Sequence, residues 1–345
     1  MVRRVTGHER PSFVRLDPYS STPGVPAVLD ADALLSSIRH HALNDWPSRI
    51  ARFSEGGRLP VLASEHVYWE VYKGLPKHAA ETGLSIDALR ACFETAYLPH
   101  IRWVRVASGF GHDERVLLVT DMTDVPTAHL ASLIAPCVVL SEDKSLRRPG
   151  FAGNQWREVA GSTVAVAETL AHQQGLALGV SLPTVGSFKA ATAFSRRIQL
   201  PGWVGALALV GGVVWLLRDS RRREVAGQVF TPLLDEFSRL QDEQHRALAD
   251  LEAVVLEPAQ PAGAKQMIAT ILARADEPVL AVDIHQALAD HFPEAEGPPL
   301  KLVRQVLTEE PEFLHGQRYR WQLGRRLKAL RDSQLTAFLR AHGLA

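Results

Sequence analysis

Residues 116–146, VLLVTDMTDVPTAHLASLIAPCVVLSEDKSL, decide the predicted fold of this chain. An apolar, strand-like run ends in two aspartates, Asp121 and Asp124, and a short helix is predicted to follow from about 126 to 134. A second apolar strand over 137–140 then opens into Ser-Glu-Asp-Lys. Because the carboxyl ends of parallel strands face one crevice, the pattern predicts a βα unit with acidic side chains along one edge of a parallel sheet.

The arrangement of an acid after a strand also appears earlier in the chain. The sequence PAVLDADALL at 26–35 predicts a short strand that ends at Asp30, with Asp32 at the start of a helix. The sequence SEHVYWEV at 64–71 predicts a helix that carries Glu70. Carboxylates gathered at one edge repel one another unless a cation lies among them. Oxygen ligands without cysteine or histidine favour Mg²⁺ or Mn²⁺ over zinc.

The order of these acids resembles that of the PIN-domain nucleases, with an aspartate after the first strand, a glutamate on a helix, an aspartate before a helix and an aspartate after a late strand. The segments that carry the resemblance are VLDADALL, SEHVYWEV, TDMTDVPTAHLASLIA and VVLSEDKSL, all within residues 24–160. The resemblance implies an α/β fold, with a three-layer α/β/α domain around a parallel sheet at 25–160. It also implies a ribonuclease that hydrolyses phosphodiester bonds of RNA with Mg²⁺ or Mn²⁺ as its cofactor.

The resemblance assigns roles residue by residue. Catalytic and metal-binding roles fall on four carboxylates: Asp30, Glu70, Asp124 and Asp143. Three further side chains would orient these ligands or add one to them: Asp32, Asp121 and Ser141. Taken singly, Asp30 and Asp124 could equally cap helices, and Asp143 could close a turn. The metal site therefore rests on the four acids occurring together.

The composition bounds the chain without naming a partner. Its 345 residues carry 38 basic and 38 acidic side chains, so global charge does not favour nucleic acid, and the length predicts more than one core. Two cysteines form no disulfide framework and the amino terminus lacks a signal peptide, which together predict a cytoplasmic protein. No HExxH, GxxxxGK[ST], GxGxxG or GxSxG motif occurs, so zinc-protease, P-loop, dinucleotide and serine-hydrolase sites are unsupported.

The middle of the chain, from 161 to 218, is predicted to be helical and apolar. Residues 200–217, LPGWVGALALVGGVVWLL, contain no charged side chain. As a helix they would reach about 27 Å, close to the thickness of a bilayer core. Two alternatives remain open for this stretch: membrane association, with 175–188 as the second arm of a hairpin, and a helix buried in a protein core.

The carboxyl-terminal part is predicted to follow amphipathic helices at 219–256. Three short helices and a β-hairpin at 264–324 resemble a winged-helix domain, and a terminal helix is expected at 325–342. Seven basic residues and one acid lie between positions 318 and 340, which predicts binding to RNA phosphates. The contacts expected from this set are Arg318, Arg320 and Arg325. The alternative is that these side chains form a solvated surface.

Two classes of function follow from these patterns. The first is a metal-dependent endoribonuclease, and the second is a non-catalytic platform in which a PIN-like fold and a winged helix bind nucleic acid or protein. The presence of an acid at all four positions favours the first class. Further expectations are a flexible arm at 1–24 and three candidate contacts besides RNA: an inhibitor protein, a second copy of the chain, and a membrane at 200–217. The chain is much longer than the small toxins of the family, which places a toxin role in doubt.

Overall fold

A computed structural model of the chain describes residues 25–55, 60–106, 113–153, 254–258, 263–275, 277–292 and 297–344, together with the single positions 238, 239, 242 and 246. The predicted arm at 1–24, the apolar region at 161–218 with its candidate span at 200–217, and nearly all of 219–256 lie outside these residues. Within the described ranges, no helix combines the length and the apolar character that crossing a membrane requires.

The chain divides into two compact units. The first combines Pro23–Gly161 with Leu251–Ala345 and a short amino-terminal piece, and it holds all described residues except the four single positions. The second consists mainly of Ser162–Asp250.

The amino-terminal stretch of this unit alternates short strands with helices. Its elements are β1 (Ala27–Leu29), α1 (Ala31–Asn44), α2 (Arg49–Glu55), β2 (Val61–Ser64), α3 (Glu65–Thr82), α4 (Ile86–Ala96), β3 (Arg102–Val104), a 3₁₀ turn (Glu114–Leu118), α5 (Val125–Ile134), β4 (Val138–Leu140) and α6 (Lys144–Arg147). All four strands pair in parallel, in the order β3-β2-β1-β4. The prediction of an α/β fold around a parallel sheet is confirmed.

Helices cover both faces of this sheet. On one face, Val28, Leu62 and Val104 belong to a buried cluster that includes Leu130 of α5. On the other face, the Trp103 ring contacts aromatic rings of α3 and α4. A strand buried on both faces needs apolar side chains at every position, which explains the uninterrupted runs AVL in β1 and VVL in β4.

The strand predicted at the start of residues 116–146 is wrong, because this part of the chain forms the 3₁₀ turn. The Asp113 carboxylate accepts a hydrogen bond from the Arg115 amide (3.0 Å) and binds its guanidinium (2.8 Å). These local bonds hold the backbone in a turn, and they compete with sheet pairing. Leu117 and Leu118, which the strand prediction would bury, are exposed.

The carboxyl-terminal stretch consists of helices and a small antiparallel sheet. Its elements are α7 (Ala264–Arg274), β5 (Val279–Leu280), α8 (Ala281–His291), α9 (Leu300–Glu309), β6 (Phe313–His315), a 3₁₀ turn (Gln317–Tyr319), β7 (Arg320–Leu323) and α10 (Asp332–Ala341). The strand order is β5-β7-β6, and both pairings are antiparallel. The sequence predicts the three helices and the hairpin of β6 and β7. It gives no indication of β5.

The two stretches share one hydrophobic core. Helix α7 packs against α5, and its residues Met267 and Leu272 are buried in the cluster that contains the sheet residues Val28 and Leu62. Hydrogen bonds reinforce the contact: the Arg102 guanidinium of β3 donates to the Leu272 carbonyl (2.9 Å), and the Arg274 guanidinium of α7 donates to the Pro136 carbonyl (2.8 Å). The carboxyl-terminal stretch is therefore part of the packing of the α/β sheet.

The terminal helix is shorter than predicted, since residues 325–331 form a non-helical strap along the α/β part. The amide and carbonyl of Arg325 pair with those of Trp103, both at 2.8 Å, at the edge strand β3. Farther along the strap, the Tyr68 hydroxyl donates to the Lys328 carbonyl (3.0 Å). These bonds use backbone groups that a helix would need for itself, so α10 begins at Asp332.

A glycine precedes the strap at position 324. Its φ is +69°, and a Cβ there would lie 2.7 Å from the carbonyl oxygen of Trp103. Only glycine meets both conditions without strain, so Gly324 allows the strap to approach β3.

Candidate functional site

The carboxyl ends of the strands bring polar side chains to one edge of the sheet. In the parallel register, Asp30 lies level with Ser64 at the end of β2 and with Ser141 just after β4. The Asp30 amide still donates to the Leu140 carbonyl (3.2 Å), so strand pairing reaches this level. The chain passes from β1 to β2 on one side and later returns to β4 on the other. Such a reversal of strand order is where ligands bind in open α/β sheets.

Asp30 is buried at this reversal and is held by Ser141. The Ser141 hydroxyl donates to Asp30 Oδ2 at 2.7 Å. Asp30 occupies the N-cap position of α1, but its side chain makes no capping hydrogen bond farther into the helix. Burial raises the pKa of its carboxyl to about 6, the bonds from Ser141 and from the backbone amide of the adjacent Ala31 oppose the rise, and the charge of Glu70 adds to it.

Asp124 is also buried and lies just before α5. Its side chain makes no capping hydrogen bond to that helix, and its Oδ2 atom is buried without a hydrogen-bond partner. Burial, followed by the charge of Asp30, raises its pKa to about 7, and a hydrogen bond from Ser145 works in the opposite direction. A buried carboxylate oxygen without a donor is costly, so this atom requires a cation, a proton or a bound water.

Glu70 faces the same acids from helix α3. Burial and then the charge of Asp124 raise its pKa to about 7. The His66 side chain, one helical turn earlier, places Nε2 at 3.4 Å from Glu70 Oε1. Glu70, Asp30 and Asp124 therefore form one electrostatic group, contributed by α3, β1 and the start of α5.

Asp143 is placed differently, because it caps the short helix α6. Its Oδ1 accepts a hydrogen bond from the Ser145 amide at 2.6 Å, and its own amide donates to the Ser141 hydroxyl at 3.0 Å. The interpretation of Asp143 as a residue that closes a turn is therefore supported. Its charge still raises the pKa of Asp124, so it lies within the same group.

The remaining acids of the prediction lie at the margin. Asp32 is exposed in the first turn of α1. Asp121 is exposed as well, and its carboxylate accepts bonds from the amide (2.9 Å) and hydroxyl (2.8 Å) of Thr123. The Thr123 amide and then its hydroxyl lower the pKa of Asp121. Asp32 and Asp121 are therefore peripheral, whereas the Ser141 hydroxyl contacts both the Asp30 carboxylate and the Asp143 amide.

Whether a metal ion fits depends on the arrangement and the chemistry of the four predicted carboxylate ligands. Nowhere in the described ranges do three or more His, Cys, Asp or Glu side chains stand in a geometry that holds a metal ion. The carboxylates instead point to neighbouring hydroxyl and amide donors, as at Ser141 and Ser145. The donors are nevertheless the hard oxygens that Mg²⁺ and Mn²⁺ prefer, and Asp124 Oδ2 is already without a partner. The donor set therefore suits such an ion in its chemistry, while the described side chains are not gathered around one point.

The three arginines predicted to bind RNA lie in different surroundings. Arg318 is exposed in the turn between β6 and β7 and has a left-handed φ of 58°. Arg320 is exposed and donates to the Pro278 carbonyl at 3.0 Å. Arg325 donates through Nε to Glu65 Oε1 at 2.9 Å, at the first residue of α3. Arg325 thus lies on the α/β part, whereas Arg318 and Arg320 lie on the hairpin.

The sequence prediction missed two buried hydroxyls near the carboxylates. Ser64 ends β2 at the level of Asp30, and Thr127 lies one turn after Asp124 on α5. The oxygen of each is buried without a hydrogen-bond partner. The signal that could have found Ser64 is the one that found Asp30, a polar residue directly after a buried strand.

Comparison of the chain with protein-family models, with curated proteins and with solved structures gives no match in any of the three.

Proposed function

We propose that this chain is a Mg²⁺- or Mn²⁺-dependent endoribonuclease with a PIN-like α/β domain. The observation that carries the proposal is the state of Asp124, a buried carboxylate that does not cap its helix and leaves one oxygen without a partner. It lies in the field of Asp30 and Glu70 at the carboxyl edge of a parallel sheet. Buried like charges of this kind are stable only when a proton or a cation joins them.

The residues that would hold the ion are Asp30, Glu70, Asp124 and Asp143. When bound, Mg²⁺ or Mn²⁺ supplies positive charge against the scissile phosphate and lowers the pKa of a coordinated water. Ser141 fixes the orientation of Asp30 through the 2.7 Å hydrogen bond. Asp143 is oriented in turn by its amide bond to Ser141, so one hydroxyl couples two of the proposed ligands.

The carboxyl-terminal stretch supports binding of nucleic acid. Its order of helix, strand, two helices and hairpin is consistent with the winged-helix resemblance of the sequence. The turn of its hairpin carries the exposed Arg318 and Arg320, and a positive charge at such a position contacts phosphate without reading sequence. We therefore assign substrate binding to this hairpin and chemistry to the carboxylate edge.

The test is cleavage of end-labelled single-stranded RNA by the purified full chain in Mg²⁺, Mn²⁺ or EDTA. Cleavage is expected with either metal and not with EDTA. Asp124→Asn is expected to lower the rate by at least roughly 100-fold, since it removes a ligand charge. Asp87→Asn, an exposed acid in the first turn of α4, is the matched control and should cleave normally. Cleavage in EDTA, or full activity of Asp124→Asn, would contradict the proposal.

A second candidate is a non-catalytic platform that binds RNA through the hairpin. Two findings favour it: the capping role of Asp143, and the lack, among described side chains, of a group already arranged around a metal ion. Titration calorimetry with Mn²⁺ separates the candidates without measuring activity. A wild-type chain that binds RNA but neither binds Mn²⁺ nor cleaves would identify the platform.

A further inference from the structure

Three oxygen atoms near the carboxylate edge are buried without hydrogen-bond partners. They are Ser64 Oγ, Thr127 Oγ1 and Asp124 Oδ2. Ser64 and Thr127 are each 1% exposed and Asp124 is 6% exposed. A single buried hydroxyl without a partner already destabilises a protein, so three such atoms in one region of the fold call for a common explanation.

The register of the sheet places these atoms on one face. Side chains alternate between the faces of a strand, so Ser64 shares the face of Leu62, and Asp30 shares that of Val28. Val28 and Leu62 belong to the cluster beneath α5. Because the backbone of Ser64 is extended, the alternation continues through it. Ser64 therefore lies on the α5 side of the sheet.

Helix α5 brings the other two atoms to this face. Residues three apart on a helix lie on the same side, so Asp124 and Thr127 face the same surroundings. Thr127 is covered together with the buried residues of α5 that pack on the sheet, such as Leu130. Its hydroxyl does not bond to a carbonyl of the preceding turn, which is the usual partner of a helical threonine.

We propose that Ser64, Thr127 and Asp124 bind one buried water molecule, through which the two hydroxyls position the Asp124 carboxylate for the metal. A buried water needs two to four polar partners, and these three atoms supply a donor, a second donor and an acceptor. Ser64 and Thr127 act as positioning residues because they touch the carboxylate only through the water. This inference rests on the proposed metal-dependent function and adds two residues to its site.

The test compares variants of the full chain by Mn²⁺ titration calorimetry. Thr127→Val keeps the shape of the side chain and removes the hydroxyl, and Ser64→Ala removes the other hydroxyl. Each is expected to weaken Mn²⁺ binding roughly 10- to 100-fold, the range that outer ligands of metal sites show. Thr127→Ser keeps a hydroxyl at this position, and its Mn²⁺ affinity should lie within about threefold of that of wild type. The double variant should bind Mn²⁺ almost as tightly as the single variant of lower affinity, because both hydroxyls act through one water.

Thr270→Val is the matched control. Thr270 is a buried helical threonine whose hydroxyl donates to the Ala135 carbonyl at 3.1 Å. This variant should lose stability against urea in EDTA and keep its Mn²⁺ affinity. The same urea measurement shows that the Ser64 and Thr127 variants fold.

Two outcomes would overturn the inference, and they are distinguishable. If wild type and Asp124→Asn both fail to bind Mn²⁺, the metal site itself is wrong. If wild type binds Mn²⁺ and Thr127→Val and Ser64→Ala bind it equally well, only the role of the hydroxyls is wrong. Their removal would then simply relieve two unpaired groups and raise stability against urea.

Discussion

Replacing Asp124 with asparagine removes one charge from the buried carboxyl group while keeping its size. The side chain is 6% exposed, and its pKa rises from an ordinary 3.8 to about 7, chiefly through burial and then through the charge of Asp30. A rise of this size means that the ionised carboxyl destabilises the folded chain by roughly 4 kcal/mol. Burial of the new amide offsets part of the gain, so the variant is expected to be about 1–3 kcal/mol more stable than wild type in EDTA above pH 7.

The pH dependence of this difference has a definite sign. Because the folded chain binds the Asp124 proton more tightly than the unfolded chain does, the stability contributed by the carboxyl is greatest below pH 4 and falls as the pH rises toward 7. The asparagine variant lacks the titrating group. The variant should gain stability relative to wild type as the pH rises from about 4 to about 8. Near pH 4, where the carboxyl is protonated, only the cost of burying the amide remains, so the variant is the less stable there.

Urea unfolding followed by circular dichroism in EDTA, at several values between these limits, measures the difference. Asp87→Asn, which removes an exposed carboxyl from α4, controls for the general effect of one lost charge. Mg²⁺ should stabilise wild type and leave Asp124→Asn unchanged, because only a ligand that binds the folded state raises stability. The reasoning is refuted if the variant is less stable than wild type at pH 8 in EDTA, or if its advantage does not change with pH.

Three further predictions concern other parts of the first unit. Ser141→Ala should lower the free energy of unfolding, measured in urea, by about 1–2 kcal/mol above pH 7 and by less near pH 4, because the buried Asp30 charge loses its donor. Ser85→Ala, which removes the serine cap of α4, is the comparison variant. A chain that ends at Glu257 should not give a cooperative unfolding transition, since it removes α7 from the core of the sheet; a sharp transition would contradict the shared core. Charge reversal of Arg318 and Arg320 together should lower RNA affinity and make the slope of log K against log salt concentration less steep by about 1.4. An unchanged slope would show that these two side chains are only solvated.

The sequence was sufficient to predict which polar residues lie at the carboxyl edge of the parallel sheet. An acid or hydroxyl directly after an apolar run predicts the end of a buried strand, and the structure places Asp30 and Ser141 there side by side. Asp124 also lies where the pattern indicates, just before its helix. These positions depend on local chemistry and on the parallel direction of the strands, and both can be read along the chain.

The parts that could not be predicted depend on local hydrogen bonds that compete with a strand, or on contacts between distant residues. The apolar run before Asp121 fits a strand by composition, but the hydrogen bonds of Asp113 bend it into a 3₁₀ turn. Residues 325–331 contain good helix formers, yet their backbone bonds to Trp103 and Tyr68 over a separation of more than 200 residues. Ser64 ends a buried strand as Asp30 follows one, but a single hydroxyl does not indicate metal chemistry as a carboxylate does.

The meeting of the two stretches at the edge of the core constrains the segment between them. Val254 packs against Gly153, where a Cβ would lie 3.3 Å from it, and Leu256 pairs with Cys137 through backbone bonds of 2.8 and 3.3 Å. The chain thus leaves the first unit and re-enters it at neighbouring points. If residues between 154 and 253 enter a bilayer, they must cross it an even number of times, because both of their ends are fixed to the same face of one folded body.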